Sequence, residues 1–219
     1  MTSRHRRLPL FPLNQVLFPG SSIPLQIFES RYKRMLRDCL DDDSRFGVVL
    51  IKRGPEVGEP SEPYSIGTVA RIVQVSEIDG GRYFISATGI RRFRIDDVTQ
   101  QRPYMAAEVE LLDEGVPDEP EQASRVDLDA VRETFSAYAR VMIGISGGWT
   151  RSTRVPSDPA ALSFHIAEKL DLDLLEKQSL LEALSADERL ELEMDILHRD
   201  THTMSRRLRI EFLSRVGRQ

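Results

Sequence analysis

The segment Gly144-Ile145-Ser146-Gly147-Gly148 has the G-x-S-x-G spacing of serine hydrolases. There, the motif lifts a nucleophilic hydroxyl onto a sharp turn between a strand and a helix, with an acid and then a histidine downstream. Here it follows a stretch of helical periodicity and runs into Thr150 to Pro156, so a glycine-rich loop is the better reading. His198-Arg199-Asp200-Thr201-His202 sets two imidazoles four residues apart on one helix face, as zinc-protease helices do. Arginine stands where those enzymes need a glutamate base, and Asp195 supplies at most a third ligand. Two histidines on a solvated face account for the pattern. His165, between Phe164 and Ile166, reads as a core-edge residue.

Other catalytic signatures are missing from the chain. None of Lys33, Lys52, Lys169 and Lys177 follows the glycines of a P-loop, and neither G-x-G-x-x-G nor C-x-x-C occurs. A Ser–Lys dyad stays open on spacing alone, because its partners meet only in three dimensions. The expectation is therefore a non-enzyme with no catalytic, metal or cofactor residues. Arg91-Arg92-Phe93-Arg94, with Tyr83 and Phe84 nearby, is a basic-aromatic cluster that a barrel can offer to nucleic acid. Strand alternation gives the plainer account, with Phe93 and Ile95 inward and Arg92 and Arg94 in water.

The charge balance supports that. A formal net charge of −5 lacks the basic excess that neutralises phosphates. Glu108 to Glu133 is strongly acidic, whereas Arg199, Arg206, Arg207, Arg209, Arg215 and Arg218 make the C-terminal stretch basic. These read as solvated helix faces that attract one another, or as a basic tail for an acidic partner. The single cysteine, Cys39, sits among apolar helix positions and suits a reducing compartment. Apolar runs near the N-terminus are broken by Pro9, Pro12 and Pro19, and no run approaches the ~20 residues of a membrane span. A cytoplasmic location is expected.

The elements that must position any site fall into two blocks. Leu8 to Leu13 and Ser22 to Phe28 are short apolar segments around the turn at Phe18-Pro19-Gly20. Glu29 to Leu40 carries Tyr32, Met35, Leu36 and Cys39 at helical spacing. Arg45 to Lys52 reads as a buried strand, and residues 53–63 as a loop rich in glycine and proline. Ile66 to Ile78 and Arg82 to Thr88 flank the hairpin turn Asp79-Gly80-Gly81, and Arg92 to Val98 and Met105 to Leu112 complete the strands. Such a set suggests a closed or nearly closed barrel. Past the acidic linker Asp113 to Pro120 the periodicity turns helical: Val126 to Ile143, a helix opened by Asp158-Pro159, Asp173 to Leu184, and a long helix opened by Ser185-Ala186-Asp187-Glu188. The expected layout is α+β, with a β-barrel subdomain over 1–113 and a helical subdomain over 114–219.

Several segments carry a resemblance. Leu8-Pro9-Leu10-Phe11-Pro12-Leu13, Val16-Leu17-Phe18-Pro19-Gly20 and Ile23-Pro24-Leu25-Gln26-Ile27-Phe28-Glu29-Ser30-Arg31-Tyr32 resemble the opening of the Lon protease N-terminal domain. Gly67-Thr68-Val69-Ala70-Arg71-Ile72, Gly89 to Ile95 and Tyr104 to Val109 are similar to that family's later strands, and Lys177 to Glu182 with Arg189-Leu190 to its helical extension. The resemblance implies a PUA-like β-barrel with one helix packed on it, followed by a C-terminal helical bundle. It also implies a non-catalytic module that recognises unfolded or degron-bearing polypeptides in protein quality control, with a separate protease or chaperone as a further partner. The ATPase and Ser–Lys protease modules of Lon have no counterpart in these 219 residues, so binding alone is expected. Tyr64 and Trp149, apolar groups beside loops, are the candidate substrate contacts. A PUA-like nucleic-acid binder and an orphan hydrolase using Ser146 or His198/His202 are the rival readings.

Overall fold

A computed structural model describes residues 5–59, 61–114, 126–146 and 155–216. The chain divides into two compact units, Met1–Glu114 with Ala167–Glu182, and Gly115–Ile166 with Ala183–Gln219. In the first unit lie strands β1 (His5–Leu13), β2 (Ser22–Ile27), β3 (Arg45–Arg53), β4 (Glu62–Pro63), β5 (Ile66–Ile78), β6 (Arg82–Gln100) and β7 (Ala106–Leu111), with helix α1 (Ser30–Asp41).

Strand β1 pairs parallel with β3 and antiparallel with β7, and β7, β6, β5 and β3 follow one another antiparallel. These pairings form a circuit. Two strands leave it: β4 adds two residues to β3, and among the described residues β2 pairs only with β6. The sheet is therefore a mixed one and not the plain barrel expected. Along each strand alternate residues serve opposite faces. Leu8, Leu10, Val49, Val69, Phe93, Ala107 and Val109 pack inside the circuit. Phe11, Leu13, Phe46, Ala70, Ile72, Ile85 and Ala87 pack on its other face, with Ile23, Leu25 and Ile27 of β2 and Tyr32, Met35, Leu36 and Cys39 of α1. The opening motif thus splits its apolar residues between two cores. A Cβ on Gly47 would sit 2.6 Å from the Phe93 ring, so the interior ring needs glycine there.

The single strand β6 replaces the two expected over 82–98, because Ile90 is accommodated as a bulge between the pairs Ala70↔Gly89 and Val69↔Arg91. Likewise the loop expected over 53–63 ends in the short β4. Among the helices after residue 114, α2 (Leu128–Ser146), α3 (Pro159–Lys169), α4 (Leu174–Glu182) and α5 (Ala186–Val216), helix α4 belongs with the sheet unit. Gln178 Nε2 donates to Ile66 O at 3.1 Å, and Arg92 Nη1 donates to Leu181 O at 2.8 Å. Those bonds take α4 out of a separate C-terminal bundle. Helices α2 and α5 pack together in the second unit. There Arg189 donates to Ser163 Oγ at 2.7 Å and lies over the Phe164 ring, and His165 meets the edge of Phe135. Asp158 caps α3 through Ala161 N at 2.8 Å, as the Asp-Pro pair implies.

Candidate functional site

Helix α1 and the turn before β7 frame a small cleft lined by Pro12, Arg31, Tyr32, Ser61, Gln101, Tyr104 and Met105. Tyr32 reaches it because its ring stacks 4.0 Å from that of Phe11, and burial pushes its hydroxyl up to about 12. Tyr104 donates to Asp38 Oδ2 at 2.7 Å. Burial, and then that bond, raises Tyr104 to about 12, while the same bond holds the Asp38 carboxyl below its ordinary range. Arg31 is turned toward the 54–61 loop: it pairs with Glu29 at 3.1 Å and donates to Glu56 O. Glu29 and Glu56 also accept from Gly58 N and Asn14 Nδ2, which ties the loop to the start of α1. Arg31 and the Tyr104 phenol are engaged in holding the fold and the Tyr32 ring packs on Phe11, so the cleft offers little chemistry.

A different surface is open. The ladder β2–β6–β5 near the 79–81 turn has one face on α1 and the other in solvent. Ile23, Leu25 and Ile27 alternate with the exposed Ser22, Pro24 and Gln26, and Phe28 continues the exposed phase at 49% accessibility. On β6, Ile85 and Ala87 are buried while Phe84 is 45% accessible. The register sets Gln26 opposite Phe84 and Phe84 opposite Ser76, so Phe84 shares the solvent face with Phe28. Ile78, opposite Arg82, belongs to the same face. Two aromatics and an isoleucine at the end of a paired sheet present apolar surface on a rigid support. Nothing in this arrangement is a nucleophile, a base or a metal cage. What it can do is adsorb another apolar group.

The proposed sequence sites fare differently. Tyr64 is half-buried between β4 and β5, with its N–H bonded to Leu50 O, and is not among the residues that line the cleft. Trp149 lies outside the described residues. Gly144 to Ser146 form the end of α2, where a nucleophile elbow would need a turn leaving a strand. His198 is exposed on α5, and the His202 side chain lies outside the described residues. Among the described residues no helix is long and apolar enough to cross a membrane.

The basic cluster corrects one expectation. Arg92 is buried at 2% accessibility and not in water. Its Nε sits 2.5 Å from Glu114 Oε1, besides the bond to Leu181 O. Strand alternation alone cannot foresee this, because the solvent face of β6 at that point is covered by α4. Arg91 pairs with Asp113 and donates to Leu112 O at 2.9 Å, and Arg94 pairs with Glu110 at 3.1 Å. Sequence reasoning misses Phe28 and names Phe84 only beside the basic cluster, although Phe84 falls in the polar phase of β6 and Phe28 continues that of β2.

Comparison with known proteins places these features in a family. The model of the ATP-dependent protease La (LON) substrate-binding domain matches residues 7–199. The chain belongs to that family. Lon protease 2 of Myxococcus xanthus is 29% identical over 198 residues, covering 88% of this chain and 23% of that protein. The Lon protease of Escherichia coli K12 is 29% identical over 220 residues, covering 99% and 27%. The chain thus spans about a quarter of these Lon proteases. Among solved structures, a Lon N-terminal domain protein from Xanthomonas campestris aligns with a TM-score of 0.63 at 28% identity, over 85% of this chain and 95% of that one. The N-terminal domain of the Mycobacterium avium complex Lon protease aligns at 0.60 over 88% and 98%; at 21% identity it speaks for the Lon-type fold alone.

Proposed function

We propose that this Lon-family domain recognises polypeptide substrates, without catalysis, through the apolar solvent face that ends β2 and β6. The carrying observation is Phe84, half exposed on the solvent face of the β2–β6 ladder, together with the half-exposed Phe28 that directly follows β2. A folded protein sequesters such groups in its own core, so the segments that can cover them are those exposed in unfolded or degron-bearing chains. Binding of this kind is modest in strength and weakly dependent on salt, since it rests on apolar area and not on ion pairs. A place in quality control follows from that preference, in the cytoplasm and beside a separate protease or chaperone that takes over the client. Tyr64 and Trp149 remain proposed as secondary contacts.

The test is fluorescence anisotropy with a reduced, carboxymethylated small protein, its folded counterpart and a short RNA, at low and high salt. Salt-tolerant binding to the unfolded chain alone is the expected result. Equal binding to both protein forms, or salt-steep binding to the RNA alone, overturns the proposal. No observation favours the nucleic-acid reading, because Arg91, Arg92 and Arg94 are each engaged by a carboxylate.

A further inference from the structure

Among the described residues, strand β2 pairs with β6 along one side only. Gly89 N donates to Ser21 O at 2.8 Å, which makes Ser21 and Gly89 a hydrogen-bonded pair, and antiparallel alternation then assigns Ile23, Leu25 and Ile27 to β6 as well. The backbone groups of Ser22, Pro24 and Gln26 must point the other way. Pro24 fits this phase, because its missing N–H would break the ladder in the other. The N–H groups of Ser22 and Gln26 and the carbonyls of Ser22, Pro24 and Gln26 have no hydrogen-bond partner among the described residues.

We infer that an extended stretch of substrate polypeptide adds to this edge as a further strand, bonding the Pro24 carbonyl and both backbone groups of Gln26 while an apolar side chain rests on Phe28 and Phe84. The inference rests on the polypeptide-binding reading and names how the chain is held. The occupant follows from complementarity: the N–H and carbonyl groups of Ser22 and Gln26 and the Pro24 carbonyl, spaced along a strand, are matched by the backbone of another extended chain. Backbone bonding is indifferent to sequence, and the aromatics demand only that some apolar side chain fall in the right phase. That combination suits a receptor for many clients. Pro24 interrupts the edge after one residue pair, and this limits strand addition to a short, reversible contact and blunts aggregation through the same edge.

The experiment uses the whole chain and a labelled decapeptide alternating valine and serine around a central phenylalanine. The peptide is compared with two versions N-methylated at every second residue, one in each phase. Only one phase turns its N–H groups toward β2. Methylation in that phase is expected to weaken binding about tenfold, and in the other less than about twofold, since each net hydrogen bond contributes only a few-fold. The variant Gln26→Pro removes the outward N–H at a position where proline breaks no ladder bond. It is expected to keep the native circular-dichroism spectrum and thermal midpoint while losing about fivefold in affinity.

Equal binding of both methylated peptides overturns strand addition. So does unchanged affinity of Gln26→Pro, or sedimentation showing that a second copy of the chain occupies the edge. If the unfolded protein and the parent peptide bind while these controls fail, strand addition alone is lost. If neither binds, the polypeptide-binding reading falls with it.

Discussion

Strand β6 does opposite things along its length. Around Arg92 and Phe93 it is closed in: Gly67 of β5 and Leu111 of β7 pair with Phe93 from either side, Phe93 fills the interior of the strand circuit, and Arg92 is sealed under α4. From Arg82 to Thr88 it is open on one face, where Phe84 meets water next to the unpaired edge of β2. Residue type would suggest the reverse, with arginines exposed and phenylalanine buried. What decides is which face of the strand each residue takes and whether another element covers that face. A cation becomes structural when a helix brings it a carboxylate and a carbonyl. An aromatic becomes a contact surface when no described residue covers it.

The contrast predicts its largest effect at Arg92. Arg92→Ala removes the guanidinium that bonds both the Glu114 carboxylate and the Leu181 carbonyl, in a site from which water is largely excluded. A loss of about 3 kcal/mol in unfolding free energy is expected from urea titration, near the lower end for broken buried pairs because Glu114 keeps some solvent contact. A loss below about 1 kcal/mol means that α4 does not depend on this clamp. The open half should respond in the opposite sense. Phe28→Ser with Phe84→Ser removes exposed rings, so stability should shift by no more than about 1 kcal/mol while affinity for the unfolded polypeptide falls about tenfold. A large loss of stability with unchanged binding erases the distinction between the two halves.

Much of this is legible in the residues. The period of two in Ser22 to Ile27 and the period of 3.6 in Tyr32, Met35, Leu36 and Cys39 fix β2 and α1 and the faces they bury, because each face meets a single core. The Lon-type motifs are legible for structural reasons: Thr68, buried in the Gly67 to Ile72 motif, donates to Leu17 O at 2.6 Å and pins the Val16 to Gly20 segment. Bulges are not legible, since the extra residue at Ile90 bends a strand without breaking it and carries no mark in composition. Nor is the docking of α4, which depends on Arg92 meeting a helix 89 positions further along the chain. The site is half legible. Phe84 stands out of phase with the apolar residues of β6, and Phe28 with those of β2 just before it, but such aromatics gain meaning only when the register sets Phe84 opposite Gln26, two residues before Phe28.

The Tyr104–Asp38 contact gives a smaller effect with a defined pH dependence. Asp38 titrates below its ordinary range in the folded chain, so its contribution is present above the ordinary carboxylate value near ~4 and is lost as pH falls through the folded value. Tyr104 is raised to about 12, so its contribution holds below the ordinary tyrosine value near ~10 and is lost as pH climbs through about 12. Tyr104→Phe should therefore cost about 1 kcal/mol at neutral pH, discounted because Asp38 is partly exposed, and the gap from the parent should close toward pH 3. Urea titrations at pH 7 and pH 3 measure it, and a gap independent of pH assigns the cost to packing instead of the hydrogen bond.

The smallest effect belongs to the exposed member of the arginine cluster. Arg94 pairs with Glu110 at 3.1 Å, but about half its side chain is in solvent. Arg94→Ala should change stability by less than about 0.5 kcal/mol, because an exposed pair gains little Coulomb energy in water and gives up side-chain entropy to form. It should also leave the anisotropy of a short RNA unaffected at low salt. Phosphate binding depends on cations whose charge is free to displace counterions, and here each arginine of the cluster already faces a carboxylate. A marked loss of RNA affinity in Arg94→Ala would mean that the phosphate outcompetes Glu110, and would turn the closed half of β6 into a second binding surface. An unchanged RNA signal together with the Phe28 and Phe84 effect leaves binding on the open half alone, where the sheet lacks a neighbour.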